Sequence, residues 1–518
     1  MNKAIKLHLL LLSLFSVVAG CATTQYPVNN MQALTVTEQC QGSYWRDCVG
    51  YPFPVKYAQV KDKKGVDWQV AYMDEYAGDK STPKTIVLIH GKGVFGGYFG
   101  DLMKALLGQG YRVIVPDLPN YGKSIPGNLD NPVTRSLDDT RSAIHDLLVN
   151  KLSLDKASFL GHSMGGQWVI GYALEYPEQV NKIVLESPGG LEEFPTSVAG
   201  LPFFGDEQKT SYESWEGIWG STLEKEKAKT AEDILLFNYF KAKNPKTGVI
   251  MDSPAGYFIN KTQMTDYVTH ARQYMIDNSS REYNAYTETY IRDIYSMGVE
   301  VRVEDPQSLV KKIDQITAPM LITYGEKEPF IPTTVFSGQQ SLRWDVIKPV
   351  YDRLVDKGNE PTVIIYPNVG HFIHTDIPEK FHNDVIKFLA GDRISGTEKI
   401  SSYKLPLVIP PEEVTVFFDK FKRILLSQNK TNIATFYAVD FVENSYDKSA
   451  FLAVLYSQMA KVKDYEVSLV KFEKDPNAVD EYFIEGMVNL GTITVPFKEG
   501  SKIRKTSVGW KWLGNRKL

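Results

Sequence analysis

Residues 157–166 read Ala-Ser-Phe-Leu-Gly-His-Ser-Met-Gly-Gly, an apolar run that ends in a serine flanked by glycines. The apolar run predicts a buried strand, and the residues after Gly165 predict a helix. A sharp turn from strand to helix leaves room only for small residues at Gly161 and Gly165, and it lifts the serine oxygen above the edge of the sheet. The stretch therefore predicts a nucleophile at Ser163, the alternative being an ordinary glycine-rich turn.

Similar runs of Val, Ile and Leu recur on both sides of this stretch and alternate with helix-like segments. The runs lie at 85–90, 111–118, 157–161, 182–186, 319–324 and 362–366, and the helix-like segments at 100–109, 136–151, 165–176 and 341–357. Strands with little alternation are buried on both faces, which is typical of a parallel sheet covered by helices. An antiparallel hairpin at 55–60 and 66–74 precedes them. The predicted fold class is a doubly wound, mostly parallel α/β sheet.

Residues 189–310 break this alternation and predict a mainly helical cap over the sheet. Tyr283, Tyr286 and Tyr290 recur with helical spacing, and most of the aromatic residues here are expected to form the core of the cap itself. The other aromatic residues of the segment include Trp215, Trp219, Phe237, Phe240 and Tyr257.

The last part of the chain predicts a second, smaller α+β domain over 412–518, joined by a polar, proline-containing linker at 393–411. Its expected elements are an amphipathic helix at 414–425, a helical region at 432–460 and strands at 464–472, 481–495 and 502–513. In the order of these elements the domain resembles the nuclear transport factor 2-like cone fold. It is expected to be a packing module, or to bind a small apolar ligand or mediate dimerisation.

A serine hydroxyl needs a general base, and the base needs an anion that orients it. His371 follows the last apolar run, in a loop that would place its imidazole above the sheet; His374 is the alternative. Glu328 lies in the loop after 319–324 and fits the chain order serine, acid, histidine, with Glu326 as the alternative. The predicted catalytic residues are thus Ser163, His371 and Glu328.

Attack on a carbonyl group also requires hydrogen-bond donors for the oxyanion. The run at 85–90 ends in His90-Gly91-Lys92-Gly93, whose glycines let the backbone approach a substrate closely. We therefore expect the backbone N–H groups of Lys92 and Met164 to form the oxyanion hole.

The segments 90–93, 116–124, 161–165, 325–332 and 370–371 occur in the order of the α/β-hydrolase signatures, and the chain resembles that superfamily over 55–392. The resemblance implies serine hydrolase chemistry through an acyl-enzyme, with Ser163 as nucleophile, His371 as base and acid, and Glu328 as the acidic member. The chain departs from the usual pattern at Glu328, where aspartate is more common. A serine at the elbow speaks against the dehalogenase and epoxide-hydrolase branches, which place aspartate there.

The expected activity is hydrolysis of a carboxylic ester or thioester, as in esterases and lipases, and the aromatic cap favours a substrate with an apolar group. The same triad would also serve an amidase or peptidase, a carbon–carbon bond hydrolase or a cofactor-free perhydrolase. A non-catalytic lipoprotein binding module is the alternative outside catalysis. Because the sequence has no metal-ligand cluster, Walker loop or dinucleotide fingerprint, no cofactor is expected.

Residues 1–21 combine two lysines with an apolar run and end in Val-Ala-Gly-Cys, which resembles a bacterial lipoprotein signal peptide with Cys21 as the acylated residue. We expect a lipid anchor in the cell envelope, with Ala22 favouring the outer membrane, facing the periplasm, in a Gram-negative cell. Residues 22–54 are polar and turn-rich and predict a tether. In an exported chain, the remaining pair Cys40 and Cys48 predicts a disulfide.

The composition limits the class of protein and its partners. The chain has 518 residues, of which 43% are hydrophobic, 12% aromatic and 23% charged, so disorder throughout, collagen and coiled coil are excluded. Its 58 Lys and Arg nearly balance 62 Asp and Glu, for a net charge of −4, so nucleic acid is not an expected partner. The expected partners are a small ester-type substrate and, through the anchor, a membrane, while the oligomeric state stays open.

Overall fold

The structure is a computed structural model that describes most of the chain in separate stretches. These are residues 43–78, 84–125, 136–194, 197–198, 201–202, 205–206, 209–210, 241–243, 250–252, 280–333, 337, 339, 341–400, 408–443, 446–491, 494–497 and 500–515. The predicted signal peptide 1–21, with Cys21, and also Cys40 lie outside these stretches. No helix in the described stretches is both long enough and apolar enough to cross a bilayer.

Eight strands form the central sheet of the larger domain. The first six are β1 (Val55–Lys61), β2 (Asp67–Tyr76), β3 (Lys84–Ile89), β4 (Tyr111–Pro116), β5 (Ala157–His162) and β6 (Val180–Glu186). Short strands of the insertion follow: β7 (Ser197–Val198), β8 (Leu201–Pro202), β9 (Gly205–Asp206), β10 (Lys209–Thr210), β11 (Lys241–Lys243) and β12 (Ile250–Asp252). The central sheet is completed by β13 (Met320–Gly325) and β14 (Thr362–Tyr366).

The strand order of this sheet is β1-β2-β4-β3-β5-β6-β13-β14. The pairs β1–β2 and β2–β4 are antiparallel, and the pairs from β4 to β14 are parallel. Strands β5 and β13 are buried at every position, as expected for a parallel sheet between helices. The predicted α/β fold class and the predicted hairpin are therefore confirmed. The carboxyl ends of the parallel strands meet at one edge, where ligands of such sheets bind.

Helices connect the parallel strands. They are α1 (Gly100–Gly108), α2 (Leu137–His145), α3 (Met164–Glu175), α4 (Ser280–Glu300), α5 (Leu309–Lys312), α6 (Lys348–Asp356), α7 (Ile373–Asp376) and α8 (Pro378–Ala390). A π-helical turn at Asp146–Lys151 continues α2, and another at Leu342–Ile347 leads into α6. Helix α3 begins directly after Ser163 and packs against β3, β5 and β6.

The predicted cap at 189–310 is described only in part. Helix α4 contains Tyr286 and Tyr290, as the helical spacing predicts. The described remainder also includes the short antiparallel pairs β7–β8, β9–β10 and β11–β12, so the mainly helical character of the whole cap stays a prediction. Segments of two or three residues are too short to show a hydrophobic period, which is why the sequence did not predict them. Trp215, Trp219, Phe237, Phe240, Tyr257 and the side chain of Tyr283 lie outside the described residues.

The C-terminal region is an α+β unit with a five-stranded antiparallel sheet, in the order β17-β18-β20-β21 with β19 beside β18. Its helices are α9 (Glu412–Leu426), α10 (Lys430–Ile433) and α11 (Lys448–Gln458). Its strands are β15 (Val442–Glu443), β16 (Tyr446–Asp447), β17 (Glu466–Lys474), β18 (Glu481–Asn489), β19 (Thr494–Pro496), β20 (Lys502–Thr506) and β21 (Gly509–Gly514).

Two predicted strands of this region are wrong in extent. The stretch 502–513 is a hairpin of β20 and β21, because the chain reverses before Gly509, which has a φ of 110°. The stretch 481–495 is divided into β18 and β19, which pair with each other across a turn that contains Gly491 at a φ of 93°. The resemblance to the cone fold stays a prediction.

The described residues form two separate hydrophobic cores, one that extends from Trp45 to Ile400 and one from Val414 to Trp512. The first includes Trp45 and Tyr51, so the prediction that all of 22–54 is a tether is wrong for its last residues. The ring centroids of Trp45 and Phe95 lie 4.8 Å apart, and the Tyr51 hydroxyl donates to a carboxylate oxygen of Asp117 at 2.6 Å. Burial of these aromatic rings holds the segment against the domain.

The predicted linker at 393–411 also begins too early. Ile394 and Ile400 are buried in the first core, and the N–H of Glu398 donates to the carbonyl of Val363 at 2.8 Å. At its other end, the N–H of Val408 donates to the carbonyl of Leu469 at 2.7 Å. Ile394 and Ile400 are isolated apolar residues in a polar run, and their burial holds the first part of this segment against the larger domain.

Candidate active site

Ser163 is the single residue between β5 and α3. Its backbone angles, φ 57° and ψ −121°, are rare outside glycine, and such strain costs about 1–3 kcal/mol. Its N–H donates to the carbonyl of Glu186 at 2.9 Å, and its carbonyl accepts from Gly166 and Gly189 at 2.9 Å each. Ser163 is partly exposed although its neighbours His162 and Met164 are buried. The serine is therefore the accessible point of an otherwise buried turn.

The glycines around this serine are required by close backbone contacts. A Cβ atom on Gly161 would lie 2.2 Å from the carbonyl oxygen of Gly165. A Cβ atom on Gly165 would lie 2.3 Å from the carbonyl oxygen of Ile89. Both contacts are with backbone atoms, so no side chain could move aside. The backbones of β3, β5 and α3 thus meet here more closely than any residue with a Cβ atom would allow.

His371 lies in the loop after β14 and is paired with Glu328 in the loop after β13. Its Nδ1 atom lies 2.9 and 2.8 Å from the two carboxylate oxygens of Glu328. The two side chains are only 4% and 1% exposed. Because a carboxylate only accepts hydrogen bonds, Nδ1 carries a proton and Nε2 is the basic nitrogen of the neutral ring. The alternative acid, Glu326, is exposed and accepts from the N–H of Asn368 at 3.3 Å.

The base loop and the acid loop both reach the serine turn. The His371 ring centroid lies 4.8 Å from that of His162, the residue before Ser163. A Cβ atom on Gly325 would lie 2.2 Å from the carbonyl oxygens of Val369 and Gly370, so the two loops touch through their main chains. The structure therefore brings the predicted serine, histidine and glutamate segments together at the carboxyl edge of the sheet.

His374, the alternative base, belongs to a different pair. Its Nδ1 atom and its backbone nitrogen each lie 2.8 Å from Oε1 of Glu186. Both residues are almost fully buried, with 4% exposure for His374 and 0% for Glu186. His374 thus pairs with the last residue of β6, and His371 is the histidine that pairs with the acid loop.

The loop after β3 passes beside the nucleophile. A Cβ atom on Gly91 would lie 3.0 Å from the Cβ atom of Ser163. Lys92 follows, and its ammonium nitrogen lies 3.4 Å from the ring centroid of Tyr290 on α4. Met164 is the first residue of α3, where backbone N–H groups have no acceptor within the helix. Lys92 and Met164 therefore lie on the two backbone segments next to the serine, as expected for oxyanion donors.

His90, at the start of this loop, connects it to the loop after β4. Its Nδ1 atom lies 2.8 Å from the carbonyl oxygen of Gly91, and its Nε2 atom accepts from the N–H of Leu118 at 2.9 Å. Burial lowers the pKa of His90 to about 4, so the ring is neutral near pH 7. As a neutral ring with one donor and one acceptor, His90 fixes the loop without adding charge to the site.

Helix α4 covers this side of the site through polar contacts. The Tyr121 hydroxyl donates to Asp293 at 2.7 Å, and the Asn120 side-chain amide donates to Thr289 at 3.1 Å. Burial raises the pKa of Asp293 to about 7, although the Tyr121 hydrogen bond and the charge of Lys92 oppose the shift. The contact between α4 and the loops therefore includes a carboxyl group that is partly protonated near neutral pH.

A mostly parallel sheet in this strand order, with a strained serine after β5, an acid after β13 and a histidine after β14, defines the α/β-hydrolase class. A sequence profile described as alpha/beta hydrolase fold matches residues 84–376, more than half of the chain. The chain belongs to the α/β-hydrolase fold family. No group of three or more metal-ligating side chains is found among the described residues.

Several of the known proteins that are similar to this chain are hydrolases by name. A 2-hydroxy-6-oxo-6-phenylhexa-2,4-dienoate hydrolase of Burkholderia cepacia is 34% identical over 139 residues, 26% of this chain and 46% of that protein. A 2-hydroxy-6-oxononadienedioate/2-hydroxy-6-oxononatrienedioate hydrolase of Paraburkholderia xenovorans is 24% identical over 339 residues, 65% of this chain and 95% of that protein. The solved structure of a probable hydrolytic enzyme from Pseudomonas aeruginosa has a TM-score of 0.49 and 23% identity, covering 68% of this chain and 98% of that one. The chain spans about half the length of the curated relatives that it matches at 30% identity or more.

Sequence reasoning missed three buried residues of this region, Tyr98, Glu186 and Asp293. Glu186 did carry a signal, because it is a charged residue at the end of an apolar strand. Tyr98 and Asp293 carried none, since no local pattern shows that their partners are His162 and Tyr121.

Proposed function

We propose that the protein is a serine hydrolase that forms an acyl-enzyme on Ser163. The observation that carries this proposal is the pair of Glu328 and His371, 2.8 Å apart, beside a serine held at a φ of 57°. A serine hydroxyl needs a neutral imidazole oriented by a carboxylate. Strained backbone of this kind clusters at functional sites. The backbone N–H groups of Lys92 and Met164 would complete the site as oxyanion donors.

In the proposed reaction, Oγ of Ser163 attacks the carbonyl carbon of an ester while Nε2 of His371 takes the hydroxyl proton. The carbonyl oxygen becomes an oxyanion and is stabilised by the N–H groups of Lys92 and Met164. Glu328 stabilises the imidazolium, which then gives its proton to the leaving alcohol. A water molecule, deprotonated by the same imidazole, cleaves the acyl-enzyme and restores the serine.

The proposed substrate is a carboxylic ester or thioester with an apolar group. Support comes from α4, on which Tyr286 is buried and the Tyr290 ring lies against Lys92. Aromatic rings beside the proposed oxyanion loop would favour an apolar acyl or alcohol group over a highly charged one.

Replacement of the nucleophile tests the proposed chemistry. Ser163→Ala should lower the turnover of p-nitrophenyl butyrate by at least about 10⁴-fold and leave the melting temperature nearly unchanged. Ser153→Ala is a matched control, because Ser153 is an exposed serine that also has a positive φ, 51°. Turnover by Ser163→Ala at the level of the Ser153→Ala control would refute the proposal.

Carbon–carbon bond hydrolysis is the second candidate, and the names of the relatives favour it. A 2-hydroxy-6-oxo-6-phenylhexa-2,4-dienoate has a ketone but no ester or amide bond, so its hydrolysis must break a bond between carbon atoms. The relative that bears this name is similar to 26% of this chain. If kcat/KM for this dienoate is at least about 100-fold higher than that for p-nitrophenyl butyrate, the proposed substrate is a dienoate with a carbon–carbon bond to cleave, and not an ester. Absence of dienoate turnover would exclude it.

We further propose that the protein is an exported lipoprotein, anchored through Cys21 in the bacterial cell envelope and, in a Gram-negative cell, in the outer membrane. Cys48 is disulfide-bonded, which fits an oxidising compartment. Its predicted partner, Cys40, lies outside the described residues. Mass spectrometry of the mature protein should find an acylated Cys21 at the N-terminus, and Cys21→Ser should release the protein from membranes. An unmodified Cys21 would contradict the proposal.

A further inference from the structure

A chain of hydrogen bonds runs through the interior from the oxyanion loop to the base loop. The N–H of Gly91 lies 3.2 Å from the Tyr98 hydroxyl, which lies 2.9 Å from Nδ1 of His162. Nε2 of His162 lies 3.1 Å from the carbonyl oxygen of His371. All of these residues are buried. The chain joins the backbone next to Lys92 with the backbone of the proposed base.

The direction of each bond follows from the chemistry of its atoms. The carbonyl oxygen of His371 can only accept, so Nε2 of His162 carries the hydrogen. Burial, helped by His371 and His374 nearby, lowers the pKa of His162 well below its ordinary value, so the ring is neutral and Nδ1 accepts. Tyr98 therefore donates to His162 and accepts from Gly91. Only one tautomer of His162 satisfies every member of the chain.

The packing around the two rings holds this chain in place. The Tyr98 ring centroid lies 4.1 Å from that of Phe99 and 4.8 Å from that of His374. The His162 ring centroid lies 4.5 Å from that of Phe372. A Cβ atom on Gly91 would lie 3.1 Å from Nδ1 of His162, so the oxyanion loop rests directly on the ring.

We propose that Tyr98 and His162 are positioning residues that fix the oxyanion loop and the base loop relative to each other. The inference rests on the proposed function, because it assigns catalytic roles to Ser163, Lys92 and His371. His162 immediately precedes Ser163, so the same ring contacts all three segments that must be aligned in the transition state. Small displacements of such segments lower the rate of the chemical step.

Removal of one hydroxyl tests this role. In Tyr98→Phe, the Gly91 N–H and Nδ1 of His162 both lose the hydroxyl group to which they are hydrogen-bonded, while the aromatic ring at position 98 is kept. We expect kcat for p-nitrophenyl butyrate to fall about tenfold, less than for loss of an oxyanion donor itself, with KM within about twofold of the wild type. Tyr172→Phe is the matched control, because Tyr172 is another buried tyrosine whose hydroxyl bonds to Gln179, away from these loops. A kcat for Tyr98→Phe within about twofold of the control would overturn the proposal.

The tautomer of His162 provides a second test that does not depend on turnover. His162 faces the titratable groups of His90, Tyr98, His371 and His374, none of which adds a negative charge near pH 7. In wild-type protein with nitrogen-15 histidine, NMR at about pH 7 should show His162 protonated at Nε2 alone. A proton on Nδ1 would overturn the inference, even where Tyr98→Phe fails to fold. If the wild type turned over neither p-nitrophenyl butyrate nor the dienoate, the proposed function would be refuted. The spectrum would still test the hydrogen-bond chain.

Discussion

Glu328 fills a position at which aspartate is more common, and its contacts show how the longer side chain is held. Both of its oxygens face Nδ1 of His371, and Oε1 also accepts from the N–H of Phe330 at 2.9 Å. The carboxylate is therefore fixed by its own loop as well as by the histidine. This fixed orientation holds the tautomer of the imidazole with its proton on Nδ1, so that Nε2 faces away from the carboxylate as the acceptor that the proposed base needs.

Glu328→Gln should lower kcat for p-nitrophenyl butyrate by roughly 10²–10⁴-fold, because an amide neither stabilises the imidazolium nor fixes the tautomer of His371. Glu326→Gln, two residues earlier on an exposed side chain, should retain kcat within about twofold. Steady-state kinetics of the two variants measure the difference. A larger loss in Glu326→Gln than in Glu328→Gln would show that the acid is assigned to the wrong residue.

Because Asp293 on α4 is a buried carboxyl group, the stability of the contact between α4 and Tyr121 should depend on pH. Burial raises its pKa in the folded protein to about 7, above the ordinary value of 3.8. Folding therefore favours the protonated form of Asp293. The contribution of this carboxyl group to folding stability is complete below about pH 4 and is lost as the pH rises through about 7. Asp293→Asn, which cannot ionise, should therefore show a smaller fall in melting temperature between pH 5 and 8 than the wild type.

Other buried acids contribute in the same direction, so the comparison between wild type and variant is what isolates Asp293. Burial raises the pKa of Glu192 to about 7 and that of Asp117 to about 6. Parallel melting curves of wild type and Asp293→Asn across this pH range would contradict the assignment.

The turn from β5 to α3 depends on space as well as on backbone angles. Gly161→Ala would place a Cβ atom 2.2 Å from the carbonyl oxygen of Gly165, so we expect a strongly lowered melting temperature or no folded protein. Gly108 is the matched control, because it ends α1 and a Cβ atom there would have no neighbour within 4 Å. Gly108→Ala should stabilise the protein by about 0.5–1 kcal/mol. Equal melting temperatures for the two variants would show that the turn is less crowded than described.

The elements of the larger domain could be predicted because each carries its own local signal. The buried run at 362–366 coincides with β14, and the other predicted parallel strands differ from the observed ones only at their ends. The hairpin of β20 and β21 could not be predicted in this way. Its turn consists of Ser507 and Val508 before Gly509, and because Val508 is typical of strands, the single glycine was not recognised as the point of chain reversal.

The residues of the candidate site could be predicted from the positions of the loops along the chain. The contacts among these residues could not. The order of strand, turn and helix places Ser163, Glu328 and His371 at the same edge of the sheet. The contact between His162 and His371 joins residues 209 positions apart, and that between Tyr121 and Asp293 joins residues 172 positions apart. Such contacts depend on how the loops pack in three dimensions, which local periodicity does not encode.

The two separate cores predict that the larger domain and the C-terminal unit differ in their response to mutation. The Phe421 ring contacts those of Phe436, Tyr437, Tyr465 and Trp512 in the second core. Phe421→Ala should destabilise that core by about 3–5 kcal/mol. Calorimetry should show one transition shifted to lower temperature, and ester turnover at a temperature below that transition should be unchanged. Loss of turnover in proportion to the shift would show that the cores are energetically coupled.

The accessibility and reactivity of Ser163 are the central claim for the molecule as a whole. A fluorophosphonate reacts with an activated serine hydroxyl, and peptide mass spectrometry locates the adduct. We predict one adduct, on Ser163, in the wild type, a much slower reaction in His371→Ala and no adduct in Ser163→Ala. A folded wild-type protein that forms no adduct, or forms it on another residue, would contradict the account.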